Sequence, residues 1–330
     1  MKKISLSQAL EGYALNARAR GLSPHTIEDY ERTFRRFQAY IGDPPLADIT
    51  AGDIRRFLAS LKESPTIPAG IAPRPARTLS NKTLLNIHTA LAALWTWAIS
   101  EQLVDKHIVR SVPRPKPEKQ AIEPYSKEDV KAMLAACART ATYTRPGKCE
   151  CSNARPTADR DRAIILLLLD TGMRASELTG DPSLERPPLR IQDVDQRNLR
   201  VKVIGKGAKE RILPISSITA RAIWRYLLTR LNARPEDALF LANSGHELTR
   251  AGLLRVVQRL GQRAGIQNAY IHRFRHTFAI NFLRNGGNAL ELQRLLGHTS
   301  LEMVQRYVAI AQVDVEEAHR RASPVSNWRL

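Results

Sequence analysis

Residues 113–117, Pro-Arg-Pro-Lys-Pro, place three prolines in five positions of a 330-residue chain. Proline donates no amide hydrogen bond, fixes its own φ and biases the residue before it toward extended backbone. Neither a helix nor a sheet strand is expected to run through this stretch. The chain divides there into a segment of residues 1–112, an extended basic linker at 113–121 and a segment of residues 122–330.

The first segment reads as all-helical. Ser23 caps a helix with Pro24 at its first position, after which Ile27, Tyr30, Phe34, Phe37 and Ile41 recur at helical spacing. Thr50 and Asp53 frame a second start before Ile54, Phe57, Leu58 and Leu61. Ser80 opens a third, with Leu84, Ile87, Leu91, Leu94, Trp95 and Ala98 on its buried stripe. The stretch 64–79, rich in proline and arginine, is expected to be an exposed loop. In the second segment Ser126 caps a helix, and the apolar run after Asp159 ends at Gly172. The strand signal is confined to residues 188–215, a three-stranded antiparallel meander of β-branched residues around two turns. Helices are expected at about 217–231, 249–264, 273–285, 288–296, 300–310 and 313–322. The fold class is therefore mainly α with a small antiparallel β-sheet, in two lobes.

Hydrophobic and charged fractions of 43% and 25% are those of an ordinary folded protein. The charge balance is not ordinary, because 51 Lys and Arg face 32 Asp and Glu, a net +19. Residues 1–120 hold 18 basic and 11 acidic side chains and the remainder 33 and 21, so both lobes are basic. A polyanion touched by both is the natural partner, and nucleic acid is the first choice. Three cysteines make no disulfide framework, the N-terminus carries no apolar leader, and the longest aliphatic run, Ala163–Leu169, is seven residues. Too short to span a bilayer, that run leaves a cytoplasmic chain as the expectation.

Five short stretches of the second lobe concentrate groups that bind phosphate or move protons. DTGMRASEL sets Arg174 just past Gly172, with Glu177 one turn on. GKGAKER puts Lys206 at a hairpin tip, IHRFRHTF puts His272 and Arg275 on one helix face with His276 following, and LLGH puts His298 at a glycine-broken junction. Nine residues later comes Tyr307, in a helix whose buried face is expected to be Leu301, Val304 and Val308, with the tyrosine offset from it. Each stretch alone has a bland reading: a surface ion pair, a solvated lysine, satisfied histidines, a core aromatic.

In their order and spacing the five resemble the tyrosine recombinases, the lambda-integrase and XerC/XerD type of site-specific recombinase. The resemblance runs through both lobes. It implies that Arg174, Lys206, His272, Arg275 and His298 activate a phosphodiester and that Tyr307 attacks it. It also makes Glu177 a support for the site, as His276 is expected to be, and the first lobe a core-binding domain. It implies strand exchange through a 3′-phosphotyrosyl intermediate and a Holliday junction, with a dimer on each site and a tetramer in the synapse. A heteromeric recombinase partner is compatible with it. The C-terminal tail, with a helix at 313–322 and Trp328, is implied to dock on a neighbouring protomer. A type IB topoisomerase-like relaxing enzyme and a DNA-binding relative without catalysis are the alternatives. Because the chain begins almost directly with the first lobe, a separate arm-site domain is not expected. Chromosome dimer resolution and integration of a mobile element both fit, with the inserted loops and long tail favouring the element.

The chemistry has its own logic. Breaking a phosphodiester and keeping its energy requires storing the strand as a phosphoester on a side chain. A phenol of pKa about 10 is only roughly a thousandth ionised at neutral pH, so its proton must leave as attack proceeds. Two guanidiniums, Arg174 and Arg275, suit the non-bridging oxygens, with His298 as a further donor. Lys206 is expected to protonate the leaving 5′ oxygen and His272 to accept the tyrosine proton. No metal or nucleotide motif is present, and no cofactor is expected. DNA is expected to lie in a clamp between the lobes. Arg74, Arg77, Lys82, Arg114 and Lys116 are the candidate contacts from the first lobe and linker, and Arg250, Arg255, Arg259 and Arg263 those from the 249–264 helix. Two stretches, 138–159 and 180–190, look like inserted loops, and the spacing of Cys137, Cys149 and Cys151 is not that of a zinc site.

Overall fold

Four helix starts are made by the hydroxyl side chain that marks them in the sequence. The oxygens of Ser23, Ser80 and Ser126 accept from the backbone amides of Thr26, Thr83 and Asp129, at 3.3, 3.2 and 2.9 Å. Thr50 and Asp53 bond reciprocally, the Thr50 amide donating to the carboxylate at 2.8 Å and the Asp53 amide to the hydroxyl at 3.3 Å. Each such cap contributes about 1 kcal/mol by satisfying an otherwise orphaned donor. The computed structural model describes residues 4–63, 78–118, 121–140, 143–144, 150–205, 207, 209–298 and 300–311, with single positions 319, 323 and 325. The chain falls into two units, Met1–Gln120 and Ala121–Leu330.

The first unit is helical: α1 (Leu6–Ala19), α2 (Pro24–Ile41), α3 (Ala51–Glu63) and α4 (Asn81–Ser100). Leu6, Phe37, Ile54, Phe57, Leu91, Leu94 and Trp95 are almost wholly buried in its core. Phe37 meets Phe57 edge-on at 5.1 Å between ring centroids. Lys82 is exposed in the first turn of α4, and Arg114 and Lys116 are exposed in a stretch without helix or strand. Arg74 and Arg77, and most of the expected 64–79 loop, lie outside the described residues.

In the second unit α5 (Lys127–Ala138) and α6 (Ala158–Thr171) precede the short α7 (Ala175–Thr179). Ile164, Ile165, Leu167 and Leu168 of α6 have no exposed surface, so this helix is apolar nearly all round because it is central. Each such side chain stabilises the unit by about 1.5–3 kcal/mol. The 138–159 insertion is not a bare loop: β1 (Tyr143–Thr144) and β2 (Glu150–Cys151) pair antiparallel across it. Its base is held by Arg155, which donates to the Ala136 and Cys137 carbonyls and to Asp161. Cys149 lies outside the described residues, and Cys137 is buried with its thiol on the Met133 carbonyl.

The meander is present in the order β3-β4-β5, with β3 (Val194–Asp195), β4 (Arg200–Ile204) and β5 (Glu210–Pro214). Its first strand is two residues long because residues 191–193 turn as a 3₁₀ helix instead of extending. Among the described residues these helices follow: α8 (Ser217–Leu228), α9 (Arg250–Arg263), α10 (Ile271–Arg284), α11 (Ala289–Leu296) and α12 (Glu302–Ala311). In α12 the buried face is Val304, Tyr307 and Ala311, while Leu301 is 40% exposed. The tyrosine is therefore on the core stripe and not offset from it, since positions 304, 307 and 311 share one side of a 3.6-residue helix. The expected 313–322 helix and Trp328 fall outside the described residues, apart from position 319.

Candidate active site

The site is built where three chain breaks meet: the end of α6, the end of α11 and the first turns of α10. Gly172 ends α6 with φ +58, the left-handed cap geometry glycine adopts freely. Arg174 then becomes the N-cap of α7, its own amide donating to Glu177 Oε2 at 2.7 Å and its guanidinium to Oε1 at 3.0 Å. Gly297 ends α11 the same way at φ +62 and turns the chain so that His298 follows directly.

Three arginines converge on the end of α11. Arg211 Nε donates to the Leu295 carbonyl at 2.9 Å, Arg275 to Leu296 at 2.7 Å and Arg174 to Gly297 at 3.2 Å. These are carbonyls a helix C-terminus leaves without intrahelical partners, and the negative end of the helix dipole favours cations there. Arg275 is 1% exposed and also donates to the Gly172 carbonyl at 2.9 Å, so it ties the two glycine-ended helices together. Burial, then the charge of Arg174, pushes its pKa down to about 10, which leaves it protonated at neutral pH.

His298 is 9% exposed, and its Nε2 lies 2.7 Å from an Arg275 nitrogen. A guanidinium only donates, so Nε2 accepts and the neutral ring carries its proton on Nδ1. That Nδ1 is buried with no partner among the described residues, a donor held ready for an oxygen from outside. Burial, then Arg275 and Arg174, pushes the His298 pKa down to about 4, in keeping with this neutral form.

The Tyr307 hydroxyl lies 3.0 Å from Nδ1 of His276. The contact expected of His272 is thus made by His276, because α10 begins at Ile271 and turns position 276 toward α12. His272 is exposed in the first turn and stacks edge-on against His276 with ring centroids 4.6 Å apart. Burial, then His272 and Arg275, pushes His276 down to about 4, so it is neutral at pH 7 and able to accept. Desolvation, then Arg275 and Arg174, also lowers His272. Burial raises the Tyr307 phenol above its ordinary value, against the lowering influence of Arg275, Arg306 and Arg174. The phenol ring stacks nearly parallel to His298 at 6.3 Å.

Arg174, Glu177, His272, Arg275, His276, His298 and Tyr307 are therefore in one neighbourhood, while Lys206 lies outside the described residues. Arg211 is the member that reading the sequence missed. Its signal was strand alternation: in β5 it shares the inward face with buried Leu213, an unusual place for arginine unless it is paired. Away from the site, Arg255, Arg259 and Arg263 lie four apart on one exposed face of α9, with Arg250 exposed in the first turn about half a turn round.

A helical unit with a small sheet that gathers buried guanidiniums, a free imidazole donor and a phenol bonded to an imidazole base is suited to covalent phosphoryl transfer. The phage integrase family matches residues 125–313, and the N-terminal SAM-like domain of phage integrases matches residues 13–102. The tyrosine recombinase XerC of Corynebacterium efficiens is 31% identical over 314 residues, covering 92% of this chain and 87% of that protein. The tyrosine recombinase XerD of Mycobacterium tuberculosis is 28% identical over 334 residues, covering 98% and 99%. Two solved structures share the fold. The XerH site-specific recombinase bound to a palindromic difH substrate, a post-cleavage complex, has a TM-score of 0.67 at 22% identity, covering 96% of this chain and 84% of that one. A lambda integrase dimer bound to a COC′ core site has 0.68 at 16%, covering 91% and 97%. The chain belongs to the phage integrase family and is a tyrosine recombinase, an enzyme that breaks and rejoins DNA.

Proposed function

We propose that this chain carries out site-specific recombination of duplex DNA, with Tyr307 as the nucleophile that forms a 3′-phosphotyrosyl bond. The observation that carries the assignment is the Tyr307 hydroxyl held 3.0 Å from His276 Nδ1, on the same helix as the buried Arg275. Arg174 and Arg275 bind the non-bridging oxygens of the scissile phosphate, and the unpartnered His298 Nδ1–H donates to them as well. His276 takes the phenol proton as the bond to phosphorus forms, and His272, stacked on it, shapes its surroundings. Lys206 protonates the leaving 5′ oxygen. The phosphotyrosyl ester keeps the energy of the broken bond, and a 5′-hydroxyl from the partner strand recovers it, so the overall exchange is isoenergetic.

The DNA partner follows from the +19 charge and from the exposed arginine row of α9. Lys82, Arg114, Lys116, Arg250, Arg255 and Arg259 contact the phosphates, as do Arg74 and Arg77. Residues 1–112 act as the core-binding domain and 122–330 as the catalytic domain, and each contacts the duplex. A dimer on each site and a tetramer in the synapse have precedents in the lambda integrase, solved as a dimer on a core site and as a tetramer on a Holliday junction. Among the described residues no helix is long and apolar enough to cross a membrane, and we place the reaction in the cytoplasm with the DNA.

The test uses a nicked duplex carrying the recombination site, which traps the covalent adduct once the short 5′ strand diffuses away. Wild-type protein should yield a denaturant-resistant adduct in the presence of EDTA, and Tyr307→Phe should yield none while binding the duplex as before. An adduct that survives Tyr307→Phe would end the assignment.

A further inference from the structure

Arg211 is assigned no part in the chemistry above, yet its side chain makes three hydrogen bonds, as many as that of the buried Arg275. Its two terminal nitrogens each donate to one oxygen of Glu177 at 2.8 Å, a bidentate pair, while Nε holds the Leu295 carbonyl. Glu177 is fully buried and its oxygens are saturated: Oε1 accepts from Arg174 and Arg211 side chains, Oε2 from the Arg174 amide and Arg211. One carboxylate is thus shared between an arginine facing the reaction and one facing away from it.

We infer that Arg211 is a positioning residue for strand cleavage, which fixes Arg174 through Glu177 and fixes His298 through the Leu295 carbonyl. This rests on the reading of Tyr307 as the nucleophile. The physical reason is geometric. A buried carboxylate with only Arg174 for a partner is free to rotate and draw that guanidinium inward, away from a phosphate. The planar fork of Arg211 pins both oxygens at once, so the Arg174 side chain, 30% exposed, keeps its remaining donors outward. The same side chain sits under Gly297, where a Cβ built on that residue would come 3.3 Å from an Arg211 terminal nitrogen. The turn that aims His298 therefore rests on the guanidinium that orients Glu177. Because Arg211 lies in β5, paired residue for residue with β4 (Val203 opposite Arg211), the setting of the phosphate-binding arginine is tied to the sheet.

Loss of Arg211 also has a proton signature. Burial acts to raise the Glu177 carboxyl and is outweighed by the hydrogen bonds and charge of Arg211 first and Arg174 second, which hold it below the usual carboxylate value. The charged groups that face it are Arg211 from β5 and Arg174 beside α7, with Arg275 of α10 interacting at longer range. Without Arg211 the burial effect wins, the carboxyl pKa rises, and the rate falls as pH drops through it.

The experiment measures single-turnover adduct formation on the nicked duplex for Arg211→Lys, Arg211→Gln and the Arg211→Gln/Glu177→Gln pair, with DNA affinity and thermal melting measured alongside. Arg211→Lys keeps the charge and loses the fork, so its adduct rate should fall about 10- to 100-fold with DNA affinity and melting nearly unchanged. Arg211→Gln should add a second acid-side inflection, above the His276 step near pH 4 that the wild type already shows, and the double variant should lose that second inflection. If Arg211→Gln does not fold, Arg211→Lys alone decides. An Arg211→Lys rate within about threefold of wild type, or a fall matched by equal losses of affinity and melting temperature, overturns the inference. If wild-type protein forms no Tyr307-dependent adduct, it is the nucleophile reading that fails instead.

Discussion

In the proposed mechanism Tyr307 serves both packing and chemistry. At 5% exposure on the Val304–Ala311 stripe it is a core side chain by any measure of burial, and its hydroxyl is nonetheless bonded to a base. Burial raises its pKa, so the free protein holds it as a neutral phenol. Its neighbours are held neutral by the same physics. His276 and His298, both near pKa 4, accept protons in the unfolded chain below about pH 6.5 but refuse them in the native site. The unfolded state then binds more protons, so stability is lost as pH falls between about 6.5 and 4, by about 2 kcal/mol for each histidine at pH 4.5. Denaturant midpoints from pH 7.5 to 4.5 should drop accordingly, and drop less in His298→Gln. NMR of the DNA-free protein should show both rings in their neutral form down to about pH 5; protonation of either near pH 6.5 would contradict the burial described here.

At the scale of elements, the end of α11 does the organising. An eight-residue helix contributes little stability by itself, but its last carbonyls and Gly297 receive Arg211, Arg275 and Arg174 in succession. Gly297→Ala meets a left-handed backbone and a pinned guanidinium together. We expect it to cost only about 1–2 kcal/mol in stability, with a larger proportional fall in adduct rate, because His298 is re-aimed. Gly172→Ala differs, since a Cβ there would sit 2.5 Å from the Phe278 ring inside the core. Backbone strain and overpacking together should destabilise it by about 2–4 kcal/mol, visible as a lower melting temperature. Adduct rates that fall only in proportion to stability in both variants would show that α11 has no special role in aiming the site.

For the whole molecule the governing quantity is charge. A net +19 spread over both units should make DNA affinity fall steeply with salt, by about 10³- to 10⁵-fold between 50 and 200 mM if six to ten phosphates are neutralised. Replacing Arg255 and Arg259 with Gln should reduce the slope of log affinity against log salt by about one for each phosphate no longer neutralised, and an unchanged slope would remove α9 from the interface. Most of the described helices, several of their caps and the strand meander were legible from the sequence because each depends on neighbours within a few residues, as with Ser126 and Asp129, although α1 was not picked out. So were Arg174, Glu177, His272, Arg275, His298 and Tyr307, as residue types at telling spacings that the fold brings into one neighbourhood. What the sequence did not determine was which histidine meets the tyrosine, which face of α12 is buried, and that Arg211 belongs to the site. Those depend on the rotation of one helix against another and on pairings between residues 34 and 84 positions apart, such as Arg211 with Glu177 and with Leu295. Local propensity is blind to such pairings. Only the packing of α10, α11 and α12 on one another and on the sheet decided them, because a buried charge has a stable place only where the fold brings it a partner.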